Sequence, residues 1–369
     1  MQVLHINSNY MHSRLHSELL AYLELLNVSN EVIMPRKVND DKHCINDLNY
    51  SNVYHKKFLK SKDRIFYFSK QKKIKKWIDT LDLKIEQYDM VHAHTLFTDG
   101  YVAYKLGKPY VITVRNTDLN FFIRFYKHLL PLGRKILKQA STIVFLSESY
   151  KNKTINALFK RSSEIEEINK KVVVIPNGIN NFWINHQSTR KKKLSSQLNI
   201  LCVSRVMKNK NIEFLAKYLN DETLGIVTNI YVIGEILDNH YYNVLSSYKH
   251  IHLLGKRNKE DIKSLMERMD VFALVSFSET FGLVYLEALT QNLPLIYTKG
   301  EGFDRYFEEG LVGYAVSPFD AKGLVKSMLN IISHYKEIQS NIAQIDKNKF
   351  SWYEVAAQYK EVYEKIKGL

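Results

Sequence analysis

The sequence predicts an α/β protein with two domains, each built on a parallel, doubly wound sheet. Short apolar runs that suit buried strands alternate with helical stretches along most of the chain, and this alternation is typical of parallel sheets. The 369 residues, 45% of them hydrophobic, exceed what one ordinary core holds. A polar segment, residues 186–197, separates two such series and contains Arg190-Lys191-Lys192-Lys193, so we interpret it as a linker.

The first α/β series begins with a strand at Val3–Ile6, a polar loop, and a helix whose leucines share one face. Further strands are predicted at residues 31–34, 89–94, 110–114, 142–146 and 171–175. Residues 37–70 read as polar and irregular at first and then basic.

The second series follows the same alternation. Its strands are predicted at residues 200–204, 230–234, 252–254, 271–276 and 293–297. A last helix, Trp352–Ile366, carries its apolar residues on one side. Two α/β domains imply a cleft between them, and domain interfaces are frequent ligand sites.

The positive charge is concentrated in the first half of the chain. The net charge is +15, and residues 1–183 hold 29 Lys and Arg against 17 Asp and Glu. Two basic stretches, residues 56–76 and 119–138, are interleaved with aromatic residues. Such stretches suit an anionic membrane surface or a nucleic acid, and they are equally compatible with a solvated helix face. A generally basic proteome would also explain the charge.

The cysteines and the N-terminus bear on the compartment. Cys44 and Cys202 cannot form a disulfide framework, which favours a reducing compartment. Met1–Ile6 reads as a strand and not as a signal peptide, and no apolar run has the ~18 residues of a membrane span. We expect a cytoplasmic protein, with peripheral binding to the inner face of the cell membrane as a further candidate.

The stretch Ser276–Glu287 is the strongest candidate for a ligand site. It follows an apolar run and leads into a helix, so it forms a loop at the carboxyl end of a parallel strand, where open α/β sheets bind ligands. We expect the helix to begin near Gly282, capped by Thr280 or Ser278, with N–H groups that suit a phosphate. Carboxylates at Glu279 and Glu287 suit sugar hydroxyls. Any α/β protein has strand-loop-helix units, however, so this stretch alone supports a ligand site and an ordinary structural loop equally.

A second loop supplies positive charge. Arg205 and Lys210 follow the first strand of the second series and are five residues apart. A guanidinium and an ammonium at this place could neutralise a diphosphate leaving group, although a basic loop on a basic protein is the simpler alternative.

Taken together, these motifs resemble the retaining glycosyltransferases of family 4, also called group 1, which have the GT-B fold. The resemblance rests on the acid pair Glu279 and Glu287, on the loop 278–282 and on the pair Arg205 and Lys210. Supporting motifs occur in the same order, namely His92-Ala93-His94, Ile175-Pro176-Asn177-Gly178-Ile179 and Gly255-Lys256. The match extends over nearly the whole chain.

The resemblance implies two facing Rossmann-like domains with a cleft between them and a last helix that crosses back to the first. The first domain would then span residues 1–185 with 350–369 and bind the acceptor. The second would span residues 198–349 and bind the nucleotide sugar.

The resemblance also assigns roles to single residues of the second domain. Glu279 would bind the hydroxyls of the donor sugar and Glu287 the ribose, while Arg205 and Lys210 would hold the diphosphate. The remaining donor contacts would come from Phe281, Gly282, Leu283, Lys256 and Arg257. His94 of the first domain would reach the donor sugar, which makes His94, Glu279, Arg205 and Lys210 the catalytic candidates.

The acceptor contacts are implied for Asp118 and, from the first loop, for Asn9, Tyr10 and Arg14. That loop lacks the glycines of many relatives, and Asn292 and Gly300–Asp304 are further departures from the family pattern. No Asp-x-Asp motif occurs, so we expect no metal and no other cofactor.

We therefore expect a retaining, metal-independent glycosyltransferase for a hexosyl or related sugar, with a UDP-sugar as donor. The acceptor would be a glycan or a lipid-linked glycan, in bacterial cell-surface polysaccharide synthesis. The alternatives are a GT-B epimerase or disaccharide synthase, or a non-enzymatic binder of polyanions. No recognisable nucleic-acid-binding module occurs, so we expect no nucleic acid as a partner.

Overall fold

The computed structural model of the protein describes residues 1–40, 52–194 and 196–368. Cys44 lies outside these residues, and Cys202 is buried. The chain divides into a first unit, Met1–Gly178 with Trp352–Leu369, and a second unit, Ile179–Ser351.

The polar segment interpreted as a linker, and residues 179–185 before it, fall within the second unit. Lys192 contacts this unit, because its Nζ atom donates hydrogen bonds to the backbone oxygens of Met266 and Met269 at 2.7 and 2.6 Å. The backbone N–H of Ser188 also donates to the oxygen of Thr290 at 2.7 Å.

The first unit is built on one parallel sheet. Its strands are β1 (Gln2–Ile6), β2 (Ser29–Lys37), β3 (Val53–Leu59), β4 (Met90–Ala93), β5 (Tyr110–Val114), β6 (Thr142–Phe145) and β7 (Val172–Val174). They lie in the order β3-β2-β1-β4-β5-β6-β7. The direction of winding reverses between β1 and β4, and such a point leaves a crevice at the carboxyl ends of the two strands.

Helices connect these strands and cover the sheet. They are α1 (Arg14–Leu25), α2 (Tyr67–Ile78), α3 (Asp99–Leu106), α4 (Leu130–Gln139), α5 (Glu148–Leu158) and α6 (Ser162–Asn169). Every residue of β4 and β5 is buried. Parallel strands covered on both faces read as continuous apolar runs, which is why the sequence revealed them.

The second unit repeats this architecture. Its strands are β8 (Gln197–Val203), β9 (Val227–Ile233), β10 (Ile251–Leu253), β11 (Val271–Ala273), β12 (Leu295–Thr298) and β13 (Gly313–Val316), in the parallel order β10-β9-β8-β11-β12-β13. Its helices are α7 (Asn181–Asn185), α8 (Ile212–Tyr218), α9 (Asp221–Leu224), α10 (Asn239–Ser246), α11 (Lys259–Met266), α12 (Leu283–Thr290), α13 (Ala321–Ser333) and α14 (Tyr335–Gln344). Here the winding reverses between β8 and β11.

The last helix, α15 (Trp352–Lys367), belongs to the first unit and packs beside α1. Its buried residues are Trp352, Val355, Ala356, Tyr359, Val362, Tyr363 and Ile366. The prediction of a final helix with one apolar side is therefore confirmed. Among the described residues, no helix is both long enough and apolar enough to span a bilayer.

Two edge strands, β3 and β13, were missed by the sequence analysis. No strand was predicted within residues 37–70, where β3 lies and exposes His55, Lys56 and Lys57. Lysines on an edge strand hinder pairing with other chains, and they also remove the apolar pattern by which a strand is recognised. β13 has four residues, two of them half-buried.

Gly178, from the Pro-Asn-Gly motif, lies directly against the first residue of α15. A Cβ atom at this position would lie 2.7 Å from Cδ2 and 2.9 Å from Cα of Trp352. Because one of these neighbours is backbone, it cannot turn aside as a flexible side chain would. The glycine therefore permits the close approach of α15 to the strand-end loop after β7.

We predict that Gly178→Ala lowers the free energy of unfolding of the first unit by roughly 1–3 kcal/mol, the usual effect of overpacking. Urea unfolding followed by tryptophan fluorescence measures the change. Gly368→Ala is the matched control, because the nearest neighbour of its Cβ would be a backbone oxygen at an ordinary 3.5 Å. Equal stability of the two variants would contradict the packing argument.

Candidate active site

The candidate site of the second unit lies where the winding of its sheet reverses. The loop after β8 carries Arg205 and Lys210, and the loop after β11 carries Glu279. β8 and β11 are neighbours in the sheet, so the two loops leave it side by side. The structure therefore brings together residues that are about 70 positions apart in the sequence.

Lys210 and Glu279 form an ion pair across these loops. Nζ of Lys210 lies 2.5 Å from Oε2 of Glu279, and each side chain is 14% exposed. The backbone also joins the loops, because Phe277 N–H donates to the oxygen of Asn209 at 2.9 Å, and Asn209 Nδ2 donates to the oxygen of Ser278 at 3.1 Å. Charge and backbone together hold the lysine and the glutamate in place.

Glu301 also contacts Glu279, through its backbone. The backbone N–H of Glu279 donates to Oε2 of Glu301 at 2.8 Å, and Thr280 N–H donates to Oε1 of Glu279 at 3.1 Å. Glu301 belongs to the segment Gly300–Asp304, which departs from the family pattern. This departure thus supports the loop that holds the candidate glutamate.

Gly282 forms the N-terminal cap of α12, with φ of +77°. Neither Thr280 nor Ser278 is the capping residue, so the sequence-based assignment of the cap was wrong. A Cβ on Gly282 would strike the ring of Tyr285, and one on Gly302 would strike the backbone oxygen of Thr280. At Gly282 both the positive φ and the packing therefore require glycine, and at Gly302 the packing does.

The other donor candidates differ in exposure. Arg205, Lys256 and Arg257 are exposed, whereas the side chain of Phe281 is buried. Lys256 and Arg257 lie in the loop between β10 and α11. Gly282 and Leu283 lie at the N-terminus of α12, where the first N–H groups of a helix have no partner within it.

Glu287 lies on the second turn of α12, and the pKa of its carboxyl is raised. Burial raises the pKa of its carboxyl to about 7, while the Lys259 ammonium and the Trp183 indole oppose the rise. A carboxyl that titrates near neutral pH is a common feature of functional sites.

In the first unit, His94 follows β4 and belongs to a buried cluster of histidines. His5 of β1, His92 of β4, His94 and His16 of α1 are each at most 4% exposed. The ring of His92 stacks on that of His94 with centroids 4.2 Å apart, and His16 meets His94 edge-on at 5.2 Å. Burial lowers the pKa of His16, His92 and His94 well below the ordinary value and that of His5 to about 4.

His5 and His16 were not predicted from the sequence as neighbours of His94. The fact that brings them together is the pairing of β1 with β4 at the point of reversal, in which His5 pairs with His92 in register. That pairing follows from the sheet order, which the predicted strands alone did not fix.

Three of these rings could in principle bind a metal ion, since ligand atoms of His5, His92 and His94 lie within 4.8 Å of one another. The nitrogens of His92, however, lie 2.6 Å from the Tyr363 hydroxyl and 2.8 Å from Thr113 Oγ1. The two ring nitrogens of His5 are also hydrogen-bonded, to His94 and to Asn30. A metal would have to displace these hydrogen bonds, so the cluster is arranged for hydrogen bonding.

The carboxylate of Asp118 is buried and bonded to backbone. It accepts hydrogen bonds from the N–H groups of Leu96, Phe97 and Arg115 at 2.9, 3.2 and 3.0 Å, and burial raises its pKa to about 6. Nε of Arg115 donates to the backbone oxygen of His94 at 3.2 Å. Asp118 and Arg115 thus hold the loop that follows β4, and contact of Asp118 with an acceptor stays a prediction.

The three acceptor candidates near the first loop differ in how deeply they are buried. Tyr10 is buried in the core, Asn9 is half-buried and Arg14 is exposed at the start of α1. Their contact with an acceptor also stays a prediction. Asp99 also contacts this loop, because Ser8 N–H donates to its carboxylate at 3.1 Å.

Two family descriptions match the chain. Residues 17–181 match "Glycosyltransferase Family 4", and residues 184–349 match "Glycosyl transferases group 1". An uncharacterized glycosyltransferase of Methanocaldococcus jannaschii, MJ1178, is 24% identical over 302 residues, or 77% of each chain. The Escherichia coli UDP-Gal:alpha-D-GlcNAc-diphosphoundecaprenol alpha-1,3-galactosyltransferase is 28% identical over 274 residues, 68% of this chain and 67% of the relative.

A solved structure shows the same fold. Anabaena Alr3699/HepE in complex with UDP-glucose superposes with a TM-score of 0.66 at 18% identity, over 100% of both chains. Likeness at this identity concerns the fold, which is the GT-B fold of two Rossmann-like domains.

We predict that the stability difference between Glu287→Gln and the wild type depends on pH. The native carboxyl has a pKa of about 7 against an ordinary 4.5, so the native state binds this proton more tightly than the unfolded chain. The contribution of Glu287 to stability therefore falls as pH rises from 4.5 to 7. Glutamine does not ionise, so the variant should gain roughly 1–3 kcal/mol on the wild type between pH 5 and pH 8. Urea unfolding at both pH values measures this, and an unchanged difference would refute it.

Proposed function

Since the chain belongs to the group 1 glycosyltransferases of the family 4 type, we propose that it transfers a hexosyl or related sugar from a UDP-sugar, with retention of anomeric configuration and without a metal. The observation that carries the proposal is the contact of Lys210 with Glu279 at the reversal point of the second sheet. A cation for phosphate and an acid for sugar hydroxyls stand side by side there.

Lys210 and Arg205 supply the charge that the leaving group requires. As the bond from the sugar to the phosphate oxygen breaks, negative charge develops on the diphosphate, and fixed cations stabilise it more in the transition state than in the ground state. The N-terminus of α12, at Gly282 and Leu283, adds partial positive charge and unpaired N–H groups. Exposed Lys256 and Arg257 would lie toward the nucleoside.

Glu279 would orient the sugar. Its carboxylate is held by Lys210 and by the backbone of Thr280, so it can accept hydrogen bonds from sugar hydroxyls without first reorganising. Glu287 would accept hydrogen bonds from the ribose hydroxyls. That role needs the ionised carboxyl, so binding of the nucleotide would release a proton below pH 7.

Retention follows if the acceptor hydroxyl attacks from the face that the diphosphate leaves. The bond from C1 to the phosphate oxygen breaks, the bond from C1 to the acceptor oxygen forms on the same face, and the acceptor proton passes to the departing phosphate oxygen. Atoms and charges balance without an enzymatic nucleophile. His94 would contact the donor sugar, and Asn9, Tyr10, Arg14 and Asp118 would serve the acceptor.

A lipid-linked acceptor is favoured by a surface of the first unit. The ring of Tyr67 in α2 contacts Phe122, which contacts Phe121, which in turn contacts Phe125. These contacts join the two basic, aromatic stretches, 56–76 and 119–138, into one feature, here called the basic aromatic surface. Its exposed apolar side chains are Ile65, Phe66, Phe68 and Phe125, each at least 59% exposed.

A pocket lies beside this surface, between α2 and α3. Its volume is about 310 Å³, and Phe68, Lys72, Lys75 and Lys105 contribute to its lining. Exposed aromatic groups among lysines suit the interface of an anionic membrane. The name of the Escherichia coli relative gives a sugar on diphosphoundecaprenol as its acceptor, and we propose an acceptor of that kind, in the assembly of a cell-surface glycan.

A panel of UDP-, GDP- and ADP-sugars identifies the donor. A ligand that binds only the native state raises the melting temperature by mass action, so the correct nucleotide sugar should stabilise the protein most. Product analysis with and without a glycan acceptor then separates transfer from epimerisation. Absence of a shift with every nucleotide sugar would contradict the proposal.

We predict that Lys210→Ala lowers the rate of sugar transfer about 100- to 1,000-fold, the usual effect of losing one group that stabilises developing charge. Glu279→Ala should also lower it, because the donor sugar loses its acceptor for hydrogen bonds. The matched controls are Lys263→Ala and Glu267→Ala, which break another ion pair of 2.5 Å in the same unit. Wild-type rates in the first two variants would overturn the site assignment.

We predict that Lys72→Gln with Lys76→Gln weakens binding to phosphatidylglycerol vesicles about 30-fold. Lys73 and Lys75 pair with Asp63 and Asp79, whereas within the described ranges Lys72 and Lys76 form no ion pair. Each free lysine near an anionic surface contributes about 1 kcal/mol.

Lys322→Gln with Lys326→Gln is the control for this measurement, because these lysines are also exposed and four residues apart, on α13 of the second unit. Flotation with phosphatidylglycerol and with phosphatidylcholine vesicles measures binding. Equal losses in both double variants, or no binding by the wild type, would contradict membrane recruitment by this surface.

A further inference from the structure

His94 stands at the end of a buried chain of hydrogen bonds that starts at Asn30. Nε2 of His94 lies 3.0 Å from Nδ1 of His5, and Nε2 of His5 lies 2.9 Å from Oδ1 of Asn30. The three side chains are each at most 1% exposed. Water therefore does not compete for these bonds, and the direction of each can be worked out from its neighbours.

Asn30 fixes the direction at the start of the chain. Its Nδ2 donates to the backbone oxygen of Val28 at 2.8 Å and lies 3.5 Å from that of Leu20. A carbonyl only accepts, so the amide nitrogen must face Val28 and the amide oxygen must face His5. Since an amide oxygen also only accepts, Nε2 of His5 carries a proton.

His5 passes this direction on to His94. Burial lowers the pKa of His5 to about 4, so near neutral pH the ring is uncharged and carries one proton. With that proton on Nε2, Nδ1 of His5 has a free lone pair. The bond between the histidines therefore runs from Nε2–H of His94 to Nδ1 of His5.

The end of the chain is an unused acceptor. His94 is also uncharged, because burial lowers its pKa well below the ordinary value, so a proton on Nε2 leaves a lone pair on Nδ1. That atom is buried and has no hydrogen-bond partner in the part of the chain that the structure describes. A buried polar atom without a partner is unfavourable, so its presence in a native protein calls for an explanation such as a catalytic role or a bound ligand.

We propose that Asn30 and His5 are positioning residues, which hold His94 in the tautomer with the proton on Nε2 so that Nδ1 accepts a hydrogen bond from a hydroxyl of the substrate. The assignment of the hydroxyl rests on the proposed function, whereas the tautomer rests on the hydrogen bonds of the first unit alone. In the opposite tautomer, Nδ1–H would donate, and the chain from Asn30 would be broken between the two histidines.

The tautomer is measured directly by NMR of the wild-type protein with ¹⁵N-labelled histidine at pH 7.5. The resonances of His94 are assigned by comparison with His94→Gln. The expected result is an unprotonated Nδ1 and a protonated Nε2 on both His94 and His5. A proton on Nδ1 of His94 would overturn the proposal, whatever the enzyme assay shows.

Two substitutions of His5 test its effect on the reaction. His5→Phe keeps a ring of similar size but removes the acceptor, so kcat should fall about ten- to a hundredfold, as for other partners that orient a functional histidine. His5→Asn places an amide oxygen near the former Nδ1 and should restore at least part of the loss. In the same NMR measurement, His94 should show mixed tautomers in His5→Phe and the wild-type tautomer in His5→Asn.

Thr154→Val is the control, because Thr154 is another fully buried polar residue of the first unit, and its hydroxyl has no partner within the described residues. It should leave kcat unchanged. Wild-type kcat in His5→Phe, or equal kcat in His5→Phe and His5→Asn, would refute the positioning role. Loss of the transferase hypothesis itself would instead show in the nucleotide-sugar panel and in Lys210→Ala, with the tautomer of His94 unaffected.

Discussion

The parallel register of neighbouring strands at the two points of reversal is the constraint on which both candidate sites depend. In the first sheet it pairs His5 with His92, and in the second it places the loops after β8 and β11 side by side. Parallel strands end at the same edge, so residues far apart in sequence meet there without any long-range motif. A shift of register would separate the parts of these sites.

The second-unit site was largely predictable because its signals are local. Glu279, Gly282 and Glu287 lie within one loop and the helix after it, and Arg205 and Lys210 lie within another. What the sequence left open was the pairing of the two loops. The cap of α12 was mispredicted for a specific reason: Ser and Thr are the usual caps, but the packing of Tyr285 leaves room only for glycine, whose positive φ then directs the chain into the helix.

The first-unit site was far less predictable. The bond between His5 and His94 joins residues 89 positions apart, and Asn30 enters only through the register of β1 and β2. A histidine in an apolar strand reads as an ordinary core residue. Edge strand β3 escaped for the opposite reason, because its lysines mask the strand pattern. For the histidine chain, the deciding fact is a neighbour that the local sequence does not contain.

The two sites differ in whether their polar groups all have partners within the protein. In the second unit the cation and the carboxylate neutralise each other at 2.5 Å, so both groups have a protein partner before any ligand binds. In the first unit nearly all of the hydrogen-bonding capacity of the histidine chain is satisfied, and the lone pair of His94 Nδ1 has no counterpart among the described residues. A ligand hydroxyl there would displace no protein partner, so its full hydrogen bond would add to binding. The selectivity of such an atom is geometric, since only a donor at the right place can use it.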